Sequence, residues 1–410
     1  MTTSEAYLDI VWRQFQKNRA AYWSLWLFVF LLLIAVFAPL IASNQPLVFR
    51  DSKGTLFPWF RSLLNPKQPV DFIFNMALVG FLPWLALATG LNLRWKRRAM
   101  PGRRRLALAL LIYVGVIVGL SIFCSSVRPD DKYSARSFPE EEFKSPETTR
   151  GFYPPLPFGP GEQDINAIFK RPLFKKSPSA SSESNDGFIH LLGTDNTGSD
   201  VLVKMIYGTR VSMTVGFVAV SIYITIGVIV GAFAGYLGGW LDIVISRVIE
   251  TVLLFPAFFL ILTLVALIGP SINMIMVVIG ITGWPTVARL IRGEVLKQRA
   301  IDYVVAAQAL GTPSLRIIFR HILPNAISPA LVAAPFGIAG AIITEAALSL
   351  LGFGVRPPAP TWGTLLRLGN GNYNYWWLVV VPSVAIFVTV TVFNLIGSGL
   401  RDAMDPRLRR

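Results

Sequence analysis

The sequence predicts an all-α protein that crosses a membrane about eight times. Three observations lead there. Of 410 residues, 53% are hydrophobic and only 15% are charged, against about 25% charged in an ordinary soluble domain. The apolar residues gather into runs close to the ~20 residues needed to cross the hydrocarbon core. Backbone groups in lipid must be satisfied within the segment, so runs of that length are helices.

The runs lie near 23–42, 72–92, 106–126, 211–235, 248–268, 272–291, 328–350 and 377–398. The first follows Arg13, Lys17 and Arg19 and ends in APLIAS. It is long for the apolar part of a signal peptide and further runs follow, so it reads as an uncleaved first span. Orientation comes from the basic residues. The connector 93–105, LRWKRRAMPGRRR, concentrates Arg94, Lys96, Arg97, Arg98, Arg103, Arg104 and Arg105, which marks it as cytoplasmic. Alternation then places the N-terminus, the segment 292–327 and the C-terminal RDAMDPRLRR inside, and 127–205 outside. Arg289, Arg292, Lys297, Arg299, Arg316 and Arg320 agree with that assignment. The net charge of +15 is accounted for by basic residues at cytoplasmic span ends, so no nucleic-acid partner is expected. Cys124 is the single cysteine. It allows no internal disulfide and no metal cluster, and reads as a small buried apolar residue.

Four segments follow from this pass: 1–44, the cytoplasmic N-terminus and first span; 45–126, a transmembrane hairpin; 127–205, an extracytoplasmic loop; and 206–410, the remaining spans with the cytoplasmic segment 292–327. The loop holds FYPPLPFGPGE and KKSPSASSESNDG. Such composition buries little apolar surface, so part of it is expected to be irregular or disordered.

Residues 303–325, YVVAAQALGTPSLRIIFRHILPN, are too charged for a span and too regular for a connector. Asp302 is placed to N-cap a helix from Tyr303. Gly311 is placed to end it in the left-handed conformation. Thr312 is placed to cap a second helix with Pro313 at its first position. Leu315, Ile318, Phe319 and Ile322 then share one face, and Pro324 suits termination. This elbow suits either an interfacial helix lying on the membrane or a docking element for a cytoplasmic partner. The small Ala306 and Ala307 fit close approach by another backbone.

Other motifs are less specific. HLLGTDNTGSD (190–200) spaces Gly193 and Gly198 like a phosphate loop, but Ser199 and Asp200 stand where Lys and Ser/Thr are required, so it is not a nucleotide site. Asp195, Asn196, Gly198 and Asp200 suit turn chemistry at the outer mouth of a span. Gly227, Gly231, Gly235 and Gly239 recur every four residues, a smooth strip for helix packing. Glu345 lies inside a run, which makes it a functional candidate: an outer gate, a partner for a substrate amine, or a hydrogen bond to a neighbouring helix or to 351–363. His190 and His321 do not combine into a metal site, and no catalytic constellation is present.

The elbow resembles the EAA loop of ABC-importer membrane subunits. Ala306, Ala307, Gly311, Leu323 and Pro324 match that pattern, and Val305 stands where its Glu usually is. HLLGTDNTGSD, GYLGGWLD (235–242), GWPTVARLIRGEVL (283–296), EAALSLLGFGVRPPAPTWG (345–363) and FNLIGSGLRDAMDPRLR (393–409) follow in an order similar to the oligopeptide/dipeptide/nickel permease family. The resemblance covers about 190–410 and, more weakly, the N-terminus. It implies a six-helix permease core with 72–92 and 106–126 as an inserted hairpin, read as peripheral, with a regulatory role as the alternative. It implies a bacterial inner-membrane location, coupling through Ala306, Ala307, Gly311, Arg316, Arg320, His321 and Pro324, and an outer gate or binding-protein contact near Asp195, Asp200 and Glu345. The implied partners are a second homologous permease, two ATPase subunits carrying ATP and Mg, and an extracytoplasmic substrate-binding protein. No cofactor is expected on this chain and no enzymatic activity. Peptides are the expected cargo, with nickel or another small solute as the alternative. An ion-coupled secondary transporter would place polar residues or broken helices near the midplane, and charged residues are scarce at the span centres.

Overall fold

The computed structural model describes residues 7–51, 54–64, 69–97, 102–124, 150–175, 189–356, 359–371 and 373–405. Most of KKSPSASSESNDG and the start of the 127–205 loop lie outside them. An amphipathic helix, α1 (Tyr7–Lys17), leads into the span α2 (Arg19–Ile41). Asn18 starts α2 by accepting a hydrogen bond from the Ala21 N–H. Strands β1 (Val48–Asp51) and β2 (Gly54–Leu56) and a short helix, α3 (Pro58–Leu63), come next. The hairpin is α4 (Pro69–Arg97) and α5 (Gly102–Cys124). Strands β3 (Arg150–Phe152), β4 (Phe174–Lys175) and β5 (Ile189–His190) precede the core.

The core is formed by α6 (Val201–Leu237), α7 (Gly239–Leu254), α8 (Ala257–Ile268) and α9 (Ile272–Arg299). The elbow follows as α10 (Asp302–Ala309), α11 (Ser314–Arg316), a wide π-turn (Ile317–Ile322) and α12 (Leu323–Ala326). Then come α13 (Ser328–Leu350), α14 (Trp362–Gly369) and α15 (Trp377–Met404). The all-α expectation holds for the bundle. Two small antiparallel sheets are added beyond the spans, one in the order β2–β1–β3 and one pairing β4 with β5.

Among the described residues, seven helices are long and apolar enough to cross a membrane, or eight if one bent pair counts as a span. Three expected boundaries move. The span expected at 211–235 begins at Val201, where Asp200 caps it by accepting from the Val203 N–H, so the end of the expected 127–205 loop is helix. The span expected to end at 291 runs on to Arg299, so the segment 292–327 begins inside a helix. The span expected at 248–268 is not straight: α7 and α8 meet at 85°. Pro256 sits at that corner, and Phe255 before it is extended, with ψ 131°, as the proline ring requires of its predecessor.

The most extensive helix pair is α6 against α9. Gly227, Gly231 and Gly235 make it possible. A Cβ on Gly227 would lie 2.6 Å from Val287 Cβ, on Gly231 2.5 Å from the Ala288 carbonyl, and on Gly235 2.8 Å from the Arg292 carbonyl. Gly239 does not extend this seam. No atom lies within 4 Å of its built Cβ, and its φ of +59°, after Gly238 at +67°, turns the chain from α6 into α7 instead.

Candidate functional site

The elbow is built against the seam. Val304, Ala307, Ile317, Ile318 and Ile322 are buried in one cluster with Tyr236, Ile291 and Val295 of α6 and α9. Polar ties fix both arms. Tyr303 donates to Gln298 Oε1 at 2.9 Å, and Asn325 Nδ2 donates to Tyr303 Oη at 3.3 Å and to the His321 carbonyl at 3.0 Å. Gln308 Nε2 donates to Tyr236 Oη at 3.3 Å, and the Arg299 guanidinium lies 5.8 Å over the same ring. At the base, Arg292 of α9 forms an ion pair with Asp242 of α7.

Gly311 sits at the corner with φ +71°. Its N–H bonds the Gln308 carbonyl at 3.0 Å and the Thr312 N–H bonds the Ala307 carbonyl at 3.1 Å, the double closure of a Schellman turn. A Cβ here would find open space. The constraint is therefore the backbone angle, which L side chains adopt at a cost of about 1–2 kcal/mol.

Other details of the expected elbow differ. Asp302 is the first helical residue rather than the cap, which is Ile301, so its charge faces the helix N-terminus. Thr312 caps nothing; Pro313 occupies the N-cap position of α11. Pro324 lies inside the helical run instead of ending it. Its ring would press on the carbonyl four residues back in an α-helix, and the wide turn just before it gives room, with the Leu323 N–H reaching the Ile318 carbonyl. The wide turn also rotates the face. Ile317 joins Ile318 and Ile322 inside, while Leu315 is 59% and Phe319 51% exposed.

The outer surface of the elbow consequently carries large apolar side chains. Leu310 is 85% exposed and Val305 51%, beside exposed Ala306, Arg316, Arg320 and Pro324. Ala307 is buried and His321 half-buried. Val305 therefore puts a hydrocarbon side chain on the surface at the position where a Glu is usual.

Asp195 and Asp200, expected at an outer contact, face inward with 0% and 3% exposure. Asp195 Oδ1 accepts from the Thr197 N–H at 2.8 Å and the Ser199 N–H at 3.0 Å, and Oδ2 pairs with Lys204. Asp200 Oδ2 and His190 Nδ1 share a hydrogen bond of 2.8 Å, and the His190 ring stacks on Phe158 at 4.5 Å. Gly198 closes the turn at φ +73°, where a Cβ would fall 1.8 Å from the Asp164 carbonyl oxygen. These carboxylates hold the loop rather than present a surface. Glu345 is also fully buried. It accepts from Ser349 Oγ at 2.7 Å, in a wall on which Gly354 and Gly363 pack through Ser349 and Ala346. An open gate is not where its side chain points.

The sequence reading missed Arg210. It is completely buried on α6. Its Nε donates to the Ala35 carbonyl at 2.6 Å and Nη2 to the Val36 carbonyl at 3.3 Å, both on α2. Its Nη1 donates to Asp71 at 3.1 Å and to Asn75 at 3.0 Å, both on α4. Phe74 and Tyr207 flank it at 5.3 and 5.1 Å. The hairpin is thus not peripheral along its first helix, because α4 supplies the counter-charge of a core arginine. A span start at 211 leaves Arg210 just outside the membrane run; extending the run backwards brings it inside.

Two family profiles match this chain: "Binding-protein-dependent transport system inner membrane component" over residues 227–410, and "N-terminal TM domain of oligopeptide transport permease C" over 6–57. The dipeptide transport system permease protein DppC of Escherichia coli (strain K12) is 42% identical over 255 residues, 62% of this chain and 82% of that protein. The chain belongs to the ABC-importer permeases. DppC of Alkalihalophilus pseudofirmus is 38% identical over 221 residues, covering 54% of this chain and 73% of its own. A putative peptide transport system permease protein of Brucella suis is 38% identical over 224 residues, covering 54% and 75%. A chain of the MetNI methionine ABC transporter in an inward-facing conformation aligns with 48% of this chain at TM-score 0.39 and 17% identity, too slight a likeness to carry weight. As a permease of this family the protein is a multi-pass membrane component that works with ATPase and substrate-binding components.

Proposed function

We propose that this permease carries dipeptides or oligopeptides inward, driven by ATP bound with Mg on two separate ATPase subunits. A second, homologous permease completes the path, and an extracytoplasmic binding protein delivers the cargo. The basic 93–105 connector and the basic residues around the elbow support cytoplasmic termini and a cytoplasmic elbow. The peptide reading draws on the names of the relatives.

The observation that carries the coupling role is the two-sidedness of the elbow. Its inner face is continuous with the α6–α9 seam, while Val305, Leu310, Leu315 and Phe319 stand out from it. An ATPase that grips those side chains holds the seam through them. ATP binding closes the ATPase pair, and the elbow passes that movement to the spans. A ligand shifts such an equilibrium only as far as it binds one state better than the other, and the elbow is the contact at which the two states differ for the ATPases. Uptake of a labelled dipeptide by cells carrying Gly311→Leu or Ala306→Trp tests this. The expected result is lost uptake at normal protein level; unchanged uptake overturns the coupling role.

A further inference from the structure

Glu345 is a buried carboxyl group for which the described residues provide no cation. It is on α13, in the half away from the elbow. Ser349 Oγ donates to its Oε1 at 2.7 Å, and its Oε2 has no hydrogen-bond partner among the described residues. Thr361 faces the same carboxyl, but its hydroxyl is taken up in capping α14, where it accepts from the Thr364 N–H at 3.0 Å. Across the contact, Gly208, Ser212 and Gly216 are successive turns of one face of α6. A Cβ on Gly216 would lie 2.8 Å from Ile338 and 3.4 Å from Ile342 of α13, and one on Gly208 3.0 Å from Trp362 of α14. Ser212 is midway between those contacts. It is fully buried and its Oγ has no partner either, so this face supplies the carboxyl with no second donor.

The charged and titratable groups on the elements packed against α13 are engaged elsewhere. On α6, Lys204 pairs with Asp195, Arg210 pairs with Asp71, and Tyr207 donates to the Ala42 carbonyl. Tyr223 abuts Gly337, two turns nearer the elbow. On α14, Arg367 is exposed and lies beside Gly352. On α15, Arg401 lies over Phe336, about 13 Å nearer the elbow along α13 at 1.5 Å per residue. Asp402 accepts from Asn18, and Asp405 has an interaction of its own. The charges of α9 run from Arg289 to Arg299, next to the elbow. Arg356, in the 351–361 connection, is exposed. An ionised Glu345 would therefore be buried with no counter-charge and one oxygen undonated, and a group so placed takes a proton instead.

The cover over this carboxyl is α14. Trp362 Nε1 donates to the Met205 carbonyl of α6 at 3.1 Å. A Cβ on Gly363 would lie 2.6 Å from Ser349 Cβ and 2.7 Å from Ala346 Cα, so α14 rests on the turn of α13 that carries Glu345. We propose that Glu345 binds a proton and keeps it as long as α14 is seated, which makes α14 a cover latched by protonation. Seated, the site holds one proton more than when α14 lifts and water reaches the carboxyl. Raising the pH therefore favours lifting, and lowering it favours seating. The latch concerns this carboxyl alone and holds for any cargo.

Infrared difference spectroscopy of the complete transporter in proteoliposomes tests it. At neutral pH a carbonyl band of a protonated carboxyl is expected that is missing in Glu345→Gln. Ser349→Ala deletes the donor on Oε1 and should move the same band to higher frequency, which assigns it even if Glu345→Gln assembles poorly. Lifting is read separately. Cys124→Ser removes the one native thiol of this chain, and Leu365→Cys, at a buried position of α14, reports exposure by its rate of labelling with a neutral maleimide. From mildly acidic to mildly alkaline pH that rate should rise more steeply with Glu345 present than in Glu345→Gln, by up to about tenfold per pH unit. The thiol's own titration cancels between the two backgrounds. No band at neutral pH, a band that neither substitution alters, or the same pH dependence of labelling in both backgrounds overturns the proposal.

Discussion

The two helices of the hairpin are neighbours in sequence and opposites in attachment. Within their most apolar windows, α4 is 33% buried and α5 only 6%. α4 presents Asp71 and Asn75 to Arg210, while α5 leans on α4 through Tyr113, whose hydroxyl donates to the Ala77 carbonyl at 2.7 Å, and leaves Leu111, Val114 and Ile122 bare. The span pair is therefore not one thing. Its first helix is part of the core because it supplies a charge, and its second is left largely exposed.

Perturbations along the gradient from seam to hairpin edge should fall off accordingly. The largest effect is expected from Gly231→Val, because the new Cβ meets backbone rather than a movable side chain. Overpacking of this kind costs about 3 kcal/mol or more, and loss of the monodisperse complex after detergent extraction checks it. Next comes Asp71→Leu, which removes the one carboxylate on Arg210 and leaves three oxygen partners. The expected loss is about 2 kcal/mol, read as a lower temperature of aggregation. Arg210→Met on the same background should restore much of it, since a buried pair is often replaceable by apolar residues; no recovery would mean that Arg210 stabilises the bundle through Ala35, Val36 and Asn75 independently of Asp71. Leu310→Ser at the elbow tip should change stability by less than about 0.5 kcal/mol yet abolish dipeptide uptake, and intact uptake would break the view of the exposed tip as the gripping surface. The smallest effect is expected from Leu111→Ala on α5, within about 0.5 kcal/mol and with uptake unchanged. A large effect there would mean that α5 meets a protein partner rather than lipid.

The parts that local chemistry decides were readable in advance. Span positions follow from apolar runs, and the Gly311 corner follows from a helix-ending glycine with a helix starter after it. The glycine seam was readable as a spacing, though only contact geometry separates Gly227, Gly231 and Gly235 from Gly239. A face count at 3.6 residues per turn misplaces the second arm of the elbow, because one wide turn ahead of Pro324 moves Leu315 and Phe319 outward. The corner between α7 and α8 had a local signal in Pro256 that the continuous apolar run concealed. Asp195 and Asp200 are visible as polar residues at a span mouth and Glu345 as a carboxylate inside a run, but whether a carboxylate points in or out depends on residues far along the chain. Arg210 and Asp71 are the extreme case: their pairing joins two helices 139 positions apart, and no spacing in the sequence announces it.

The Asp71–Arg210 pair also has an evolutionary consequence. A hairpin that leaves and returns on one side of the membrane can be gained in a single insertion without disturbing the spans that follow. Once its first helix holds a buried arginine in place, deleting it strands that charge, and a second change at Arg210 has to accompany the loss. A hairpin held in this way behaves as a ratchet: easy to acquire, and hard to discard one mutation at a time.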